Sequence, residues 1–224
     1  MTVQSKLAHL LRSLLVNEFV ATLGQSLEYG RWEFRYRKYR QEYEVHPTFK
    51  FDGTGIIIYG DGRIVLGERS FIGRYSSIAA GANCEVMIGR NCSIGPYVMI
   101  YAINMSPDQD LSKTRIRVAG NVRVEDNCWI GARVFINQGV SIGNNSVIGA
   151  NSVVTRDIPP HSIAVGAPAK VTRFKSYIDK TEIFELAKTY WPSLNPTLKQ
   201  QLLQTHPELK SSKYSATTSR TDTI

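Results

Sequence analysis

A β-branched aliphatic residue returns at every sixth position between residues 118 and 154: Val118, Val124, Ile130, Ile136, Ile142, Ile148 and Val154. Four positions after each of the first six stands a small or β-branched residue or a cysteine: Val122, Cys128, Val134, Val140, Ser146 and Ser152. Ala119, Gly131, Gly143 and Gly149 directly follow four of the aliphatics. An amphipathic helix needs spacings of three and four, and a half-buried strand alternates over a short run. A fixed period of six points instead to a β-helix of hexapeptides. Each hexapeptide makes one flat side and turns a corner. Three sides close a triangular coil of 18 residues, and coils stack at roughly 4.8 Å. The aliphatic residue points into a narrow, dry interior, and the second inward residue must be small to fit beside a corner. Asn127, Asn144, Asn145 and Asn151 suit corners, where asparagine tolerates positive φ. A β-sandwich of short strands has no reason to hold such a register.

The repeat begins near Ile56. Leu66, Ile72 and Ile78 keep phase, with Ser70, Ser76 and Ala82 at the second inward place. The phase then shifts by four residues to Ile88, Ile94 and Ile100, with Cys92 and Val98, as a lengthened corner or a bulge would produce. Residues 101–117 hold no inward pattern and read as an extruded loop. A long polar excursion from a rigid scaffold is a natural place for function.

The expected organisation is an all-β core with helical appendages at both ends. Residues 1–55 form an N-terminal helix and a basic, aromatic capping segment, and 56–173 the β-helix. Residues 174–210 form a helical segment, and 211–224 a small, polar, disordered tail. Residues 4–22 read as an amphipathic helix, with Leu7, Leu10, Leu11, Leu14 and Leu15 at helical spacing. It packs on the β-helix end or adsorbs to a membrane surface. In Arg31–Arg40, Trp32, Phe34 and Tyr36 alternate with basic residues, which favours a capping strand over a nucleic-acid surface. Pro159, Pro160 and Pro168 stop the coils.

Composition sets the setting. Cys84, Cys92 and Cys128 lack metal-type spacing and read as buried packing residues of a reducing compartment. With no uncharged apolar run of about 18 residues and no signal peptide, the cytoplasm, free or at the inner face of the membrane, is expected. The formal charge of +8 suits an anionic partner, whether nucleic acid, a lipid surface or a phosphate-rich ligand.

These hexads, the loop after Ile100, the stretch NCWIGARVFINQGVSIGNNSVIGANSVVTRDIPP and the closing VGAPAKV resemble the hexapeptide-repeat acyltransferases. They are most like the branch of galactoside and maltose O-acetyltransferases and other sugar acetyltransferases. The resemblance covers residues 60–173. It implies a left-handed parallel β-helix, a homotrimer with sites between neighbouring copies, acetyl-coenzyme A as donor, no metal, and a sugar or glycan acceptor. Trp129 would line the pantetheine and acceptor region. Ala132 and Ala150 would offer backbone groups to the pantetheine arm, with Gly149 allowing close approach. Thr155 and Arg156 would lie beside the nucleotide. Lys170 and Arg173 would meet phosphates, unless they are plain solvated charge. Tyr75 and Asn83 would touch the acceptor, or are simple corner residues. In the family a loop histidine takes the acceptor's proton. Here that position, after Asn104, is Met105, whose thioether is no base.

Three readings follow. An amine acceptor supplies its own base and needs chiefly orientation. Asp108 or Asp110 serves as base, which requires a raised pKa. Or Met105 leaves a form of an O-acetyltransferase that binds donor but turns over poorly. Rival functions are a trimeric scaffold without chemistry and a xenobiotic (antibiotic) acetyltransferase. A zinc carbonic anhydrase is set aside, because no coil holds a histidine.

Overall fold

The computed structural model describes residues 3–15 and 17–210. The chain divides after Glu42 into two units. The first holds α1 (Val3–Leu15) and α2 (Glu18–Glu42). The single helix expected over 4–22 is therefore two. The Asn17 carbonyl accepts the Ala21 N–H (3.0 Å), so α2 starts its own ladder there. The strand expected over 31–40 is helical, which corrects the sequence reading. Residues 31–42 contain neither glycine nor proline and are rich in Arg, Lys, Gln and Glu, all good helix formers. Helical spacing also groups the aromatics: Trp32 meets Tyr36 and Tyr36 meets Tyr39, ring centroids 5.9 and 6.2 Å apart. Phe34, the third member of the alternation, is left exposed.

The second unit is a parallel β-helix of about five coils with three flat faces. Coil 1 is β1 (Glu44–Val45), β2 (Lys50–Asp52) and β3 (Ile57–Tyr59). Coil 2 is β4 (Arg63–Leu66), β5 (Phe71–Gly73) and β6 (Ser77–Ala79). Coil 3 is β7 (Glu85–Ile88), β8 (Ser93–Ile94) and β9 (Met99–Tyr101). A hairpin follows, β10 (Ile103–Met105) and β11 (Arg117–Ala119). Coil 4 is β12 (Val122–Val124), β13 (Trp129–Ile130) and β14 (Phe135–Ile136). Coil 5 is β15 (Ser141–Ile142), β16 (Val147–Ile148) and β17 (Val153–Val154). The first strand of each coil builds face A, the second face B and the third face C. On face B, β18 (Ser162–Gly166) adds to β16, and antiparallel β19 (Ala169–Phe174) closes the edge. Then come α3 (Lys180–Tyr190), a tight turn at Trp191–Ser193, and α4 (Pro196–Thr205). The expected disordered tail lies outside the described residues.

Register explains both the hexads and their breaks. Val124 pairs with Ile142, Ile130 with Ile148 and Ile136 with Val154, one 18-residue coil apart. These aliphatics are fully buried, as are Cys92 and Cys128. In the upper coils Leu66 pairs with Ile88 and Ile78 with Ile100. The four extra residues lengthen the corner after β6. Cys84, not Ala82, turns inward there; Ala82 is exposed. Val118 also leaves the series. It pairs with Asn104 in the hairpin and is only half-buried. The β-helix begins earlier than Ile56, because Glu44 and Val45 pair with Val65 and Leu66. Coil 1 hid from the period because its places are filled irregularly: Val45, Phe51 and Ile58 stand level with Leu66, Ile72 and Ile78, and the bulky, buried Phe49 stands where the next coil has Ser70.

Candidate functional site

Two edges of the prism collect the residues of interest. The first lies between faces B and C. At this corner Tyr75, Tyr97, Arg133 and Asn151 of successive coils all have φ near +60°. Each follows Arg74, Pro96, Ala132 or Ala150, and before those stand Gly73, Gly95, Gly131 and Gly149. The small residues are forced by close stacking. A Cβ on Gly95 would lie 2.8 Å from the Ala132 nitrogen, and one on Gly131 only 2.6 Å from the Ala150 nitrogen. Both obstacles are backbone, which cannot swing away. A Cβ on Gly149 would meet the Val165 side chain at 2.7 Å. The stacked carbonyls are used: Asn151 N–H donates to Ala132 O (2.9 Å), and Arg133 N–H to Pro96 O (3.0 Å). The Ala132 and Ala150 N–H groups donate to no acceptor among the described residues. Trp129, on face B two residues before Gly131, is 59% exposed.

Tyr75 shares this edge. Its ring stacks on Tyr97 at 5.2 Å, and the Arg133 guanidinium lies 5.8 Å from the Tyr97 centroid. Gly55, at φ +77°, leaves room for the Tyr75 ring. Tyr75 is thus both a corner residue and an exposed aromatic.

The second edge lies between faces C and A. Asn83 occupies it in coil 2 with φ +62°. One coil further the hairpin leaves the prism here, and Thr155 and Arg156 turn the same corner after β17. The segment read as an extruded loop has an ordered stem. Asn104 faces Val118, and Met105 faces Arg117. Asn104 Oδ1 accepts the Met105 N–H (2.9 Å), and the Met105 side chain is 38% exposed. Gln109 clamps the tip. Its Nε2 donates to the Ser106 and Ile116 carbonyls (2.6 and 2.9 Å), and its Oε1 accepts the Ile116 N–H (2.6 Å). Nothing in the residue pattern marked Gln109, because its role appears only when the hairpin closes.

Asp108 and Asp110 sit exposed at that tip. Asp110 accepts from the Ser112 hydroxyl (2.6 Å) and pairs with Lys113 (3.0 Å). The Ser112 hydroxyl, then Lys113, hold its carboxyl below the ordinary range. A general base working near neutral pH needs the opposite shift. Asp110 is therefore poorly suited to the role of base.

Lys170 is half-buried on β19, and its Nζ donates to the Pro192 carbonyl at 2.8 Å. Arg173 is exposed on the same strand, opposite Ile163. Within one chain, then, Trp129, Tyr75, Ala132, Gly149 and Ala150 gather at or beside one edge. Asn83, the hairpin, Thr155 and Arg156 gather at another, across face C. Among the described residues no group of three or more His, Cys, Asp or Glu is placed to hold a metal ion.

Comparison with known proteins agrees with this architecture. Residues 121–156 match the family described as hexapeptide repeat of succinyl-transferase. A maltose O-acetyltransferase from Clostridium difficile 630 is 34% identical, with 65% of this chain and 76% of that one covered and a TM-score of 0.53. A hexapeptide-repeat acetyltransferase from Vibrio cholerae O1 biovar eltor, solved in complex with acetyl coenzyme A, is 26% identical. That match covers 71% of this chain and 91% of the other, with a TM-score of 0.50. The polysialic acid O-acetyltransferase of Escherichia coli O1:K1 / APEC is 37% identical over 143 residues, 63% of this chain and 46% of that protein. The chain spans about half the length of the curated relatives it matches. The stacked hexads agree with those matches, and the chain belongs to the hexapeptide-repeat acyltransferase family.

Proposed function

We propose that this protein transfers an acetyl group from acetyl-coenzyme A to a sugar, in a homotrimer whose sites lie between neighbouring copies. The observation that carries this is the edge between faces B and C. Ala132 and Ala150 present N–H groups there that no described residue accepts, beside glycines that keep the surface flat. Such a column suits the amide-bearing pantetheine arm, and a relative is known with acetyl-coenzyme A bound. Trp129 packs beside the arm. Thr155 and Arg156 stand by the nucleotide, and Lys170 and Arg173 by phosphates. Tyr75 and Asn83 face the acceptor. The two groups of residues lie on different edges, which favours a site completed by a second copy.

In the reaction the acceptor's oxygen or nitrogen bonds to the thioester carbonyl carbon, the carbon–sulfur bond breaks to release coenzyme A as thiolate, and the acceptor's proton ends on that sulfur as the free thiol. Met105 cannot take that proton. Asn104 and Met105 instead shape the wall opposite the carbonyl, and an amino sugar, partly free base near neutral pH, is the acceptor that fits this hairpin. The second reading, a variant O-acetyltransferase with little turnover, is favoured by the same Met105. Acetyl release measured on hydroxyl and amino sugars, with the natural chain and Met105→His, separates the two. A rise of about 10²–10⁴-fold on hydroxyl acceptors supports the variant form. Equal activity of both chains on amino sugars supports the self-supplied base. Silence of both chains on every acceptor overturns transfer to sugars.

The protein is placed in the cytoplasm, with α1 contacting the membrane's inner face. Exposed Leu7, Leu10 and Leu11 beside Lys6 and Arg12 support that contact, and no helix among the described residues is long and apolar enough to cross a membrane. Sedimentation with anionic vesicles tests it; a chain that stays in the supernatant refutes it.

A further inference from the structure

Helix α2 has two apolar faces, and only one of them is buried. On one side Tyr36 and Tyr39 are buried, and Trp32 meets Tyr36 at 5.9 Å. On the other, Val20, Leu23, Leu27 and Phe34 stand exposed, Leu27 by 67% and Phe34 by 71%. With Gly30 at the intermediate place, these residues are spaced three, four, three and four apart. That alternation keeps one stripe of a helix turned toward a neighbouring helix, as in a coiled coil. At 3.6 residues per turn the stripe lies opposite the buried tyrosines, so the rotation of α2 that buries them leaves the stripe outside.

Charge and space narrow what can cover it. From Asn17 to Gly30 the charged residues are Glu18 and Glu28, without a cation. An anionic lipid surface, which is held by cations beside an apolar stripe, finds none along this length. Further on, exposed Glu33 and Lys38 flank the stripe on its two sides. They are five residues apart, the offset at which flanking charges of two parallel helices in register meet. Lys38 also lies 3.4 Å from Glu42 of its own helix, a solvent-exposed contact that holds it weakly. Gly24 and Gly30 weaken a helix interior, yet the chain does not require them there: a Cβ on either would meet nothing within 4 Å. They leave room for a second backbone to come close.

We propose that the stripe from Val20 to Phe34 packs on the same stripe of a second copy of this chain, the α2 helices parallel and in register. The N-terminal helices then form a contact between copies separate from the β-helix. The parallel sense rests on the homotrimer reading above, because like helices meeting about a three-fold axis run parallel. A seam this short is marginal by itself. Copies already held together by another contact raise its effective concentration and offset that.

Disulfide trapping in the full chain, with sedimentation of the unoxidised protein beside it, tests this. Leu23→Cys and Leu27→Cys place thiols in the stripe, and Gln25→Cys places one on the opposite side of the helix. All three positions are exposed, so folding is not at stake, and the native Cys84, Cys92 and Cys128 are buried. With oxidised glutathione, both stripe variants should shift to twice the chain mass on a denaturing gel, while Gln25→Cys stays single. Equal linkage in all three variants reflects random collision and overturns the proposal. Unlinked stripe thiols in a protein that sediments as a trimer overturn it too, and leave the homotrimer reading intact. Unlinked thiols in a protein that sediments as a monomer overturn both. A Leu27→Cys thiol that is alkylated readily in solution, but protected on vesicles of phosphatidylcholine and phosphatidylglycerol, assigns the stripe to lipid and overturns the contact between copies.

Discussion

Coils 4 and 5 and the hairpin between coils 3 and 4 are neighbours built on opposite terms. In the coils every inward residue meets its counterpart one turn away, and the interior aliphatics have no exposure at all. In the hairpin most residues from Pro107 to Arg117 are exposed, and order depends on the side chain of Gln109. The regular region repeats because a triangular interior accepts only a few shapes. The irregular one is released from that demand, so its residues are free to face a ligand. Stability and reactivity are thereby assigned to different stretches of one chain.

The widest gap between the regions should come from emptying the prism. Ile130→Ala, at the centre of face B, should cost about 2–5 kcal/mol, read from denaturant midpoints. Ile103→Ala in the hairpin stem should cost far less, since Ile103 is only half-buried. Similar losses at both sites would erase the contrast. Next in size is Gln109→Ala. It removes four hydrogen bonds, one of them from the Thr114 hydroxyl (3.2 Å), each with a net value of about 1 kcal/mol. The loss should stay local: faster amide exchange at Ser106 and Ile116, reduced acetyl transfer, and an unchanged global midpoint. A fall in the global midpoint would show that the hairpin supports the coils after all.

The smallest effect concerns charge on the regular corners. Asp126 Oδ2 accepts both Nε and Nη2 of Arg90 (3.0 and 2.7 Å), and its Oδ1 accepts the Arg90 N–H (2.8 Å). The Arg90 side chain, above all, holds the Asp126 carboxyl below its ordinary value. A carboxyl lowered on folding adds stability above its unfolded pKa and loses it as pH falls through the folded one. Asp126→Asn should therefore flatten the loss of stability below about pH 4. At neutral pH it should cost at most about 1 kcal/mol, because the pair is solvent-screened. A pH profile parallel to that of the natural chain would refute the pairing.

The same contrast decided what could be read from residues alone. Val124 to Val154 declared themselves because shape complementarity forces the same residue class at each turn. Coil 1 did not, since Phe51 replaces an aliphatic, Phe49 replaces a small residue, and Ile58 follows Phe51 by seven positions instead of six. Val118 was counted into the series by spacing, although hairpin pairing with Asn104 claims it. Arg31–Arg40 alternated like a strand, yet its propensities and its i, i+4 ring contacts made a helix. The corner residues Asn127, Asn145 and Asn151 have the expected positive φ, whereas Asn144 does not. The glycine-lined edge was legible as Gly131 and Gly149. The packing of Lys199 on Trp191 and the bond from Lys170 to Pro192 were not, because residues from a helix, a turn and a strand share no sequence spacing.

Amide hydrogen exchange at Ala132 and Ala150, with and without acetyl-coenzyme A, tests the central claim most directly. Both N–H groups should exchange readily in the free protein, despite lying between rigid coils, and slow markedly when the thioester carrier binds. Exchange at both positions that is indifferent to saturating acetyl-coenzyme A would contradict it.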